Sequence, residues 1–142
     1  MGLRVENVWQ QALILLREAV GAAGVDASPK TLGQYGRSMS GNETVPAGVV
    51  FPATAGEVQK VVQIANQLGL TLYPISRGRN WFYVDACAPT HGELIVDLCR
   101  LNKILEVDVE LGYVVIESGV SQGQLSEYLR SHDLPLWMDA TA

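Results

Sequence analysis

An amphipathic stretch between two apolar runs constrains the fold of this chain more than any other feature. The runs lie at residues 49–52 and 70–75. Between them, Thr54 and Glu57 have the spacing of a helix-capping box, and Gly69 suits the left-handed end of the helix. A strand, a helix and a strand within about 30 residues form a βαβ unit, which predicts a pair of parallel strands. We expect the helix to bury Val58, Val61, Val62, Ala65 and Leu68.

The part of the chain before this unit has two different patterns. Residues 5–20 repeat apolar side chains at the three-and-four spacing of one helical face, and Gly21 suits the end of that helix. Residues 26–48 are rich in Gly, Ser, Thr and Pro and show little periodicity. They predict an irregular crossing with at most short turns.

Three further apolar runs follow the βαβ unit, at residues 94–98, 103–108 and 113–117. The last two are separated by a short connection and predict an antiparallel hairpin. Ser121 and Gln124 form a second capping box, which predicts a final helix. The predicted fold class is therefore α+β, with a mixed sheet and flanking helices.

Size and charge narrow the possible partners. The chain has 142 residues, of which 48% are hydrophobic, so it can bury the core of one domain. Its 10 basic and 15 acidic residues give a net charge of −5, which does not favour binding to nucleic acid or to an anionic membrane. The N-terminus lacks a signal-peptide pattern, and no apolar run approaches the roughly 20 residues that span a bilayer. We expect a cytoplasmic protein.

The other side chains with possible chemistry favour structural roles. Cys87 and Cys99 match neither a Cys-x-x-Cys pair nor a zinc site, which predicts reduced thiols. His91 and His132 have no partner at metal-ligand spacing, so we favour solvated loop or helix-end positions over catalysis. We expect Trp9 and Trp137 to pack in the core or at its rim.

The most unusual segment is the loop that leaves the second strand of the unit, at residues 74–83. Small and turn-tolerant residues can aim consecutive backbone N–H groups at one point and form an anion nest. Ser76 and Asn80 add hydrogen-bonding side chains, while Arg77 and Arg79 add positive charge. The competing interpretation is a turn without a ligand, because one glycine in a polar loop more often makes a turn.

Five short motifs follow one another along the chain, at residues 49–58, 74–80, 95–98, 101–104 and 115–120. In order and spacing they resemble the FAD-binding domain of the p-cresol methylhydroxylase (PCMH) and vanillyl-alcohol oxidase family. The resemblance implies the first subdomain of a PCMH-type FAD-binding domain, incomplete in this chain. Residues 1–46 are then an N-terminal helix and lead-in, and residues 47–142 are the partial domain.

The resemblance also implies a cofactor site. In that family the loop after the second strand wraps the pyrophosphate of FAD through backbone amides. The residues that the resemblance assigns to cofactor binding here are Pro74, Ile75, Ser76, Arg77, Gly78, Arg79, Asn80 and Tyr83. Family loops usually continue Asn-x-Gly-Tyr-Gly, whereas this chain has Phe82 and Val84 at the glycine positions. For Asp97 we favour a loop cap over a place at the cofactor cavity, and for Gly119 a turn over a ligand contact.

Two functions remain open. The resemblance implies part of an FAD-dependent oxidoreductase that takes a hydride from a 4-alkylphenol or a 4-hydroxybenzyl alcohol. Its catalytic and substrate-binding groups would lie beyond this chain, in the remainder of the enzyme, so no catalytic residue is assigned. The alternative is a truncated, non-catalytic domain that does not hold FAD and serves at most as an interaction module for a second chain. Phe82, Val84 and an uncovered apolar face of the sheet motivate the alternative.

Overall fold

A computed structural model describes residues 2–38, 41, 43–78 and 86–138, and the side chains from residue 7 onward within these ranges. It contains four helices and six strands there, together with a 3-10 turn at Ala22–Gly24. In chain order they are α1 (Gly2–Val20), β1 (Val25–Asp26), α2 (Pro29–Tyr35), β2 (Gly48–Val50), α3 (Ala55–Leu68), β3 (Leu72–Ile75), β4 (Leu94–Asp97), β5 (Ile104–Asp108), β6 (Tyr113–Ile116) and α4 (Gln122–Ser131). The predicted α+β class is confirmed.

The larger sheet has the strand order β1-β2-β4-β3 and is mixed, as predicted. β2 and β3 each run parallel to β4, and β1 pairs antiparallel with β2. The prediction that β2 and β3 pair with each other is wrong, because β4 lies between them, with Ile95 opposite both Val49 and Tyr73. All four residues of β4 are buried, which is typical of a central parallel strand.

Both faces of this sheet are covered by other parts of the chain. Successive side chains of a strand point to opposite faces, so Leu94 and Val96 face one side and Ile95 the other. On the first side, Leu94 and Val96 pack with Leu16 of α1 and Val61 of α3. The second side holds a smaller cluster of Val49, Ile75, Ala88 and Ile95. The sequence analysis expected one apolar face of the sheet to be uncovered, and this sheet has no such face among the described residues.

The predicted start and end of α3 are confirmed. The Thr54 hydroxyl accepts a hydrogen bond from the Glu57 N–H at 3.1 Å, and the Glu57 carboxylate accepts one from the Ala53 N–H at 2.7 Å. Gly69 ends the helix with φ +67° and donates its N–H to the Ala65 carbonyl. The two caps satisfy backbone groups that a helix end otherwise leaves without partners.

One side of α3 differs from the prediction. Val61 and Ala65 are buried, but Val62 is 41% exposed, so its predicted burial is wrong. Ile64 packs against the core instead. Each helical residue is rotated by about 100° from its neighbour, which turns Val62 away from the sheet when Val61 faces it.

The segment predicted to be irregular, residues 26–48, contains a two-turn helix and begins at the last residue of β1. α2 begins at Pro29, and the Ser28 hydroxyl accepts a hydrogen bond from the Thr31 N–H at 3.4 Å. The Asp26 carboxylate accepts bonds from the Ser28 N–H at 2.7 Å and from the Thr31 hydroxyl at 2.6 Å. Serine before proline is a recognised helix start, and its signal was missed in this polar stretch.

The C-terminal half contains the predicted hairpin and final helix. β5 and β6 pair antiparallel, with an irregularity between Ile104 and Glu106. The Ser121 hydroxyl caps α4 by accepting a bond from the Gln124 N–H at 3.1 Å. Large apolar side chains remain exposed on the hairpin and after α4, namely Leu105, Val109, Leu111, Tyr113, Val115, Ile116 and Trp137. The predicted packing of Trp137 in the core or at its rim is therefore wrong.

A helix must be both long and apolar to cross a lipid bilayer. Across residues 2–38, 43–78 and 86–138, no helix combines enough length with enough apolar character to do so.

Candidate functional site

The candidate site lies where the parallel strands end. The loop predicted to bind an anion leaves β3 after Ile75, and the carboxyl end of β4 is its direct neighbour. In parallel sheets this edge gathers loops from several strands at one place, which makes it the usual position of a ligand site.

The structure describes five of the eight predicted cofactor residues. Pro74 is exposed within β3, and Ile75, the last residue of the strand, is buried in the core. Ser76 and Arg77 are exposed, while Gly78 is half-buried. The other three positions, Arg79, Asn80 and Tyr83, lie outside the described residues, as do Phe82 and Val84.

Gly78 occupies a position that only glycine fits. Its φ is +62°, and a Cβ atom built there would lie 2.8 Å from the Cβ of Ala86 and 3.2 Å from Cδ1 of Ile75. An L side chain would therefore meet both backbone strain and a steric clash. The backbone at Gly78 thus packs closely against Ala86, where the described chain resumes.

Arg77 reaches across the edge to the turn between β6 and α4. Its Nη1 donates a hydrogen bond to the Gly119 carbonyl at 3.1 Å. Gly119 is itself packed on the turn after β4, because its N–H donates to the Leu101 carbonyl at 2.7 Å. A Cβ at Gly119 would lie 2.3 Å from the Leu98 carbonyl oxygen, so this glycine is required for close packing.

Asp97, the last residue of β4, is a buried carboxylate that holds its surroundings together. It is 5% exposed. Its Oδ1 accepts a hydrogen bond from the Cys99 N–H at 2.9 Å, and its Oδ2 accepts one from the Tyr35 hydroxyl at 2.6 Å. Asp97 therefore caps the turn that follows its strand and also fastens α2 to the sheet.

The Asp97 carboxylate affects the titration of its neighbours. Burial, together with the hydrogen bond and charge of Asp97, raises the pKa of the Cys99 thiol to about 11. Burial and the same carboxylate raise the pKa of Tyr35 above its ordinary value. Both groups are protonated at neutral pH, so Cys99 is not a thiolate nucleophile there.

The turn after β4 also ties together the ends of the other parallel strands. The Leu98 N–H donates to the Ile75 carbonyl at the end of β3, at 2.9 Å. Arg100 donates from Nη1 to the Phe51 carbonyl, just beyond β2, at 2.8 Å. The start of the loop after β3 is thus fixed to a hydrogen-bonded edge.

The remaining candidate residues have structural contacts. Cys87 is buried and, like Cys99, forms no disulfide. Nδ1 of His91 accepts a hydrogen bond from the Val45 N–H at 3.0 Å. The His132 ring stacks on Tyr128 with centroids 4.1 Å apart. Within the described part of the chain, no group of three or more His, Cys, Asp or Glu side chains is placed to hold a metal ion.

Sequence reasoning missed two residues at this edge. Tyr35 lies in the stretch predicted to be irregular, and its bond to Asp97 spans 62 residues, so no local pattern marks it. Arg100 follows an apolar strand, a position at which an arginine is often simply solvated. Its contact with the Phe51 carbonyl depends on the strand order, which no local pattern reveals.

Comparison with known proteins finds a family that this chain matches. Residues 46–142 match the family described as FAD binding domain. The chain is 35% identical over 134 residues to 1'-carboxy-chondrochloren decarboxylase of Chondromyces crocatus, covering 93% of this chain and 24% of that protein. It is 36% identical over 97 residues to the 4-cresol dehydrogenase [hydroxylating] flavoprotein subunit of Pseudomonas putida, covering 68% and 19%.

A solved structure shows the same fold. The crystal structure of p-cresol methylhydroxylase with substrate bound superposes with a TM-score of 0.89 and 29% identity, covering 96% of this chain and 27% of that one. The chain thus spans about a quarter of the length of the relatives that it matches. FAD is the cofactor of this family, and the close-packed glycine loop at the strand ends fits a cofactor held by backbone. The chain belongs to the FAD-binding domain family of flavin oxidoreductases of the p-cresol methylhydroxylase type.

Proposed function

We propose that this chain is the part of an FAD-dependent oxidoreductase that holds the pyrophosphate of FAD at the carboxyl edge of its parallel strands. The observation that carries the proposal is Gly78, whose positive φ and contact with Ala86 leave space for backbone alone. A glycine in this conformation allows the backbone N–H groups of a loop to approach an anion closely.

The proposed cofactor residues divide into two kinds. Backbone groups of the loop surround the pyrophosphate, and the exposed Ser76 hydroxyl adds a side-chain donor. The full proposed set is Pro74, Ile75, Ser76, Arg77, Gly78, Arg79, Asn80 and Tyr83. The role proposed for Ile75 belongs to its backbone, because its side chain is buried in the core.

The proposed reaction is the oxidation of a 4-alkylphenol or a 4-hydroxybenzyl alcohol at its benzylic carbon. When bound, FAD supplies the acceptor for the hydride, so this chain's own task is to bind and orient it. The similarity to the 4-cresol dehydrogenase flavoprotein subunit supports this substrate class. The groups that contact the substrate are proposed to lie in the remainder of the enzyme, which packs against this chain.

The exposed hairpin favours a second candidate function. Leu111 at its tip is 76% exposed, Leu105 is 58% exposed, and Trp137 after α4 is 85% exposed. Exposed apolar groups gathered on one part of a surface are typical of a protein interface. The second proposal is therefore an interaction module that docks on the rest of the enzyme or on a second chain and does not hold FAD.

The first test is flavin retention. The purified chain is incubated with FAD and desalted, and its visible absorption spectrum is recorded. The first proposal predicts retained flavin bands, which Gly78→Ala should abolish, whereas Gly123→Ala is the matched control because a Cβ there meets nothing within 4 Å. A colourless wild-type chain that still binds an apolar dye would favour the interaction module instead.

A further inference from the structure

We infer that Arg77 is a positioning residue, whose guanidinium fixes the cofactor loop to the turn between β6 and α4 instead of binding the phosphates of FAD. The inference rests on the proposed function of the loop. It reassigns the residue that the sequence marks as a source of positive charge for an anion.

The first observation is the direction of the side chain. Arg77 is an exposed residue immediately after β3, yet its Nη1 lies 3.1 Å from the Gly119 carbonyl oxygen. This bond spans 42 residues of sequence and is partly buried. A guanidinium has a rigid fork of donors, so one fixed donor also limits where the others can point.

The second observation is that the acceptor is itself held in place. Gly119 donates its N–H to the Leu101 carbonyl at 2.7 Å, and the next N–H, from Val120, donates to the Glu117 carbonyl at 3.1 Å. A Cβ at Gly119 would lie 2.3 Å from the Leu98 carbonyl oxygen, so the turn is packed as closely as its backbone allows. The hydrogen bond from Arg77 to this carbonyl therefore holds the loop at a fixed place relative to the turn.

The third observation is the spacing of the anchors along the loop. The Ile75 carbonyl accepts a bond from the Leu98 N–H, and Gly78 packs on Ala86. Arg77 lies between these two backbone anchors and supplies a side-chain anchor to a third segment. Its charge also acts on the Cys99 thiol, where it opposes the rise in pKa, which agrees with a guanidinium lying over the turn after β4. The loop therefore has fixed contacts with three other parts of the chain.

A positioning role and a phosphate contact predict different measurements. A phosphate contact is an attraction between opposite charges that salt screens, so its loss would reduce the salt dependence of FAD affinity. A positioning contact exists without FAD, so its loss would loosen the turn in the free chain. Four proteins make the comparison: the wild type, Arg77→Met, Arg77→Lys, and the control Lys60→Met, which removes one exposed charge from α3.

The decisive experiment is amide hydrogen exchange in the chain without FAD. Loss of a charge-assisted bond should speed exchange at the Gly119 and Val120 amides by about tenfold in Arg77→Met. Arg77→Lys keeps a charged donor and should restore part of the protection, while Lys60→Met should leave these amides unchanged. If Arg77→Met does not fold, Arg77→Lys against the wild type gives the same comparison, with intermediate protection expected.

FAD binding at several salt concentrations completes the test. The inference predicts weaker binding by Arg77→Met with the wild-type salt dependence. It is overturned if exchange at Gly119 and Val120 matches the wild type, or if the variant's affinity loses its salt dependence. If the wild-type chain takes up no FAD, the proposed function fails, and hydrogen exchange alone still decides whether Arg77 holds the turn.

Discussion

At the scale of single residues, the site depends on positions whose neighbours permit one residue type. Gly78 combines φ +62° with a space that a Cβ would fill, and Gly119 has no space for a Cβ beside the Leu98 carbonyl. Asp97 is 5% exposed and accepts bonds at both oxygens, so neither oxygen of this buried carboxylate lacks a donor. These constraints follow from contacts between segments far apart in sequence.

The constraint on Gly78 predicts a loss of stability on substitution. Gly78→Ala should lower the free energy of unfolding by roughly 1–3 kcal/mol, because alanine resists positive φ and its Cβ would clash with Ala86. Denaturant unfolding monitored by circular dichroism measures the change. Gly123→Ala, near the start of α4, is the control and should be neutral or slightly stabilising. Equal stability of Gly78→Ala and wild type would contradict the described packing.

The Asp97 carboxylate predicts an unusual pH dependence of Cys99. Since burial and Asp97 raise the thiol pKa to about 11, alkylation of Cys99 should accelerate mainly as the pH approaches that value. Asp97→Asn should shift the midpoint downward, because the negative charge that opposes the thiolate is gone. Mass spectrometry after timed alkylation separates Cys99 from Cys87. The control Asp108→Asn should leave the midpoint unchanged. If Asp97→Asn also leaves it unchanged, Asp97 does not determine the pKa of Cys99.

At the scale of elements, local patterns predicted where helices and strands occur in the sequence. They predicted less well which elements lie next to each other. The capping residues Thr54 and Ser121 marked α3 and α4, because an N-cap hydrogen bond is made within four residues. The insertion of β4 between β2 and β3 could not be predicted in this way, since strand order depends on contacts between distant segments. The same is true of the bond between Tyr35 and Asp97.

The docking of α2 on the sheet can be tested through that bond. Tyr35→Phe should lower the free energy of unfolding by about 1–3 kcal/mol, because it leaves a buried oxygen of Asp97 without its donor. Thermal or denaturant unfolding gives the value. Tyr113→Phe is the matched control, since its hydroxyl donates to the exposed Glu106 carboxylate and its loss should cost at most about 0.5 kcal/mol. A larger effect at Tyr113 than at Tyr35 would contradict this account.

At the scale of the whole molecule, the chain has a covered four-stranded sheet and an exposed hairpin. The motifs quoted from the sequence predicted the family and its cofactor, both of which the comparisons bear out. The position of the exposed apolar surface was not predicted, because the pattern of β5 and β6 does not reveal which neighbours cover them. Among the described residues, the large exposed apolar side chains are most numerous on this hairpin.

The exposed hairpin predicts binding of an apolar dye. The double variant Leu105→Asp with Leu111→Asp should reduce dye fluorescence and self-association at unchanged stability, because these side chains are 58% and 76% exposed. Val62→Asp is the control, since Val62 is an exposed apolar residue of α3 away from the hairpin. Dye binding that persists at the wild-type level in the double variant would place the apolar surface elsewhere.

The most direct test of the central claim is competition for FAD at equilibrium. Binding of radiolabelled FAD to the chain is measured by equilibrium dialysis, and unlabelled ADP or riboflavin is then added as a competitor. If the loop after β3 grips the pyrophosphate, ADP displaces FAD and riboflavin, which has no phosphate, does not. Displacement by riboflavin with no effect of ADP would contradict the account, because the chain would then hold the flavin ring and not the pyrophosphate.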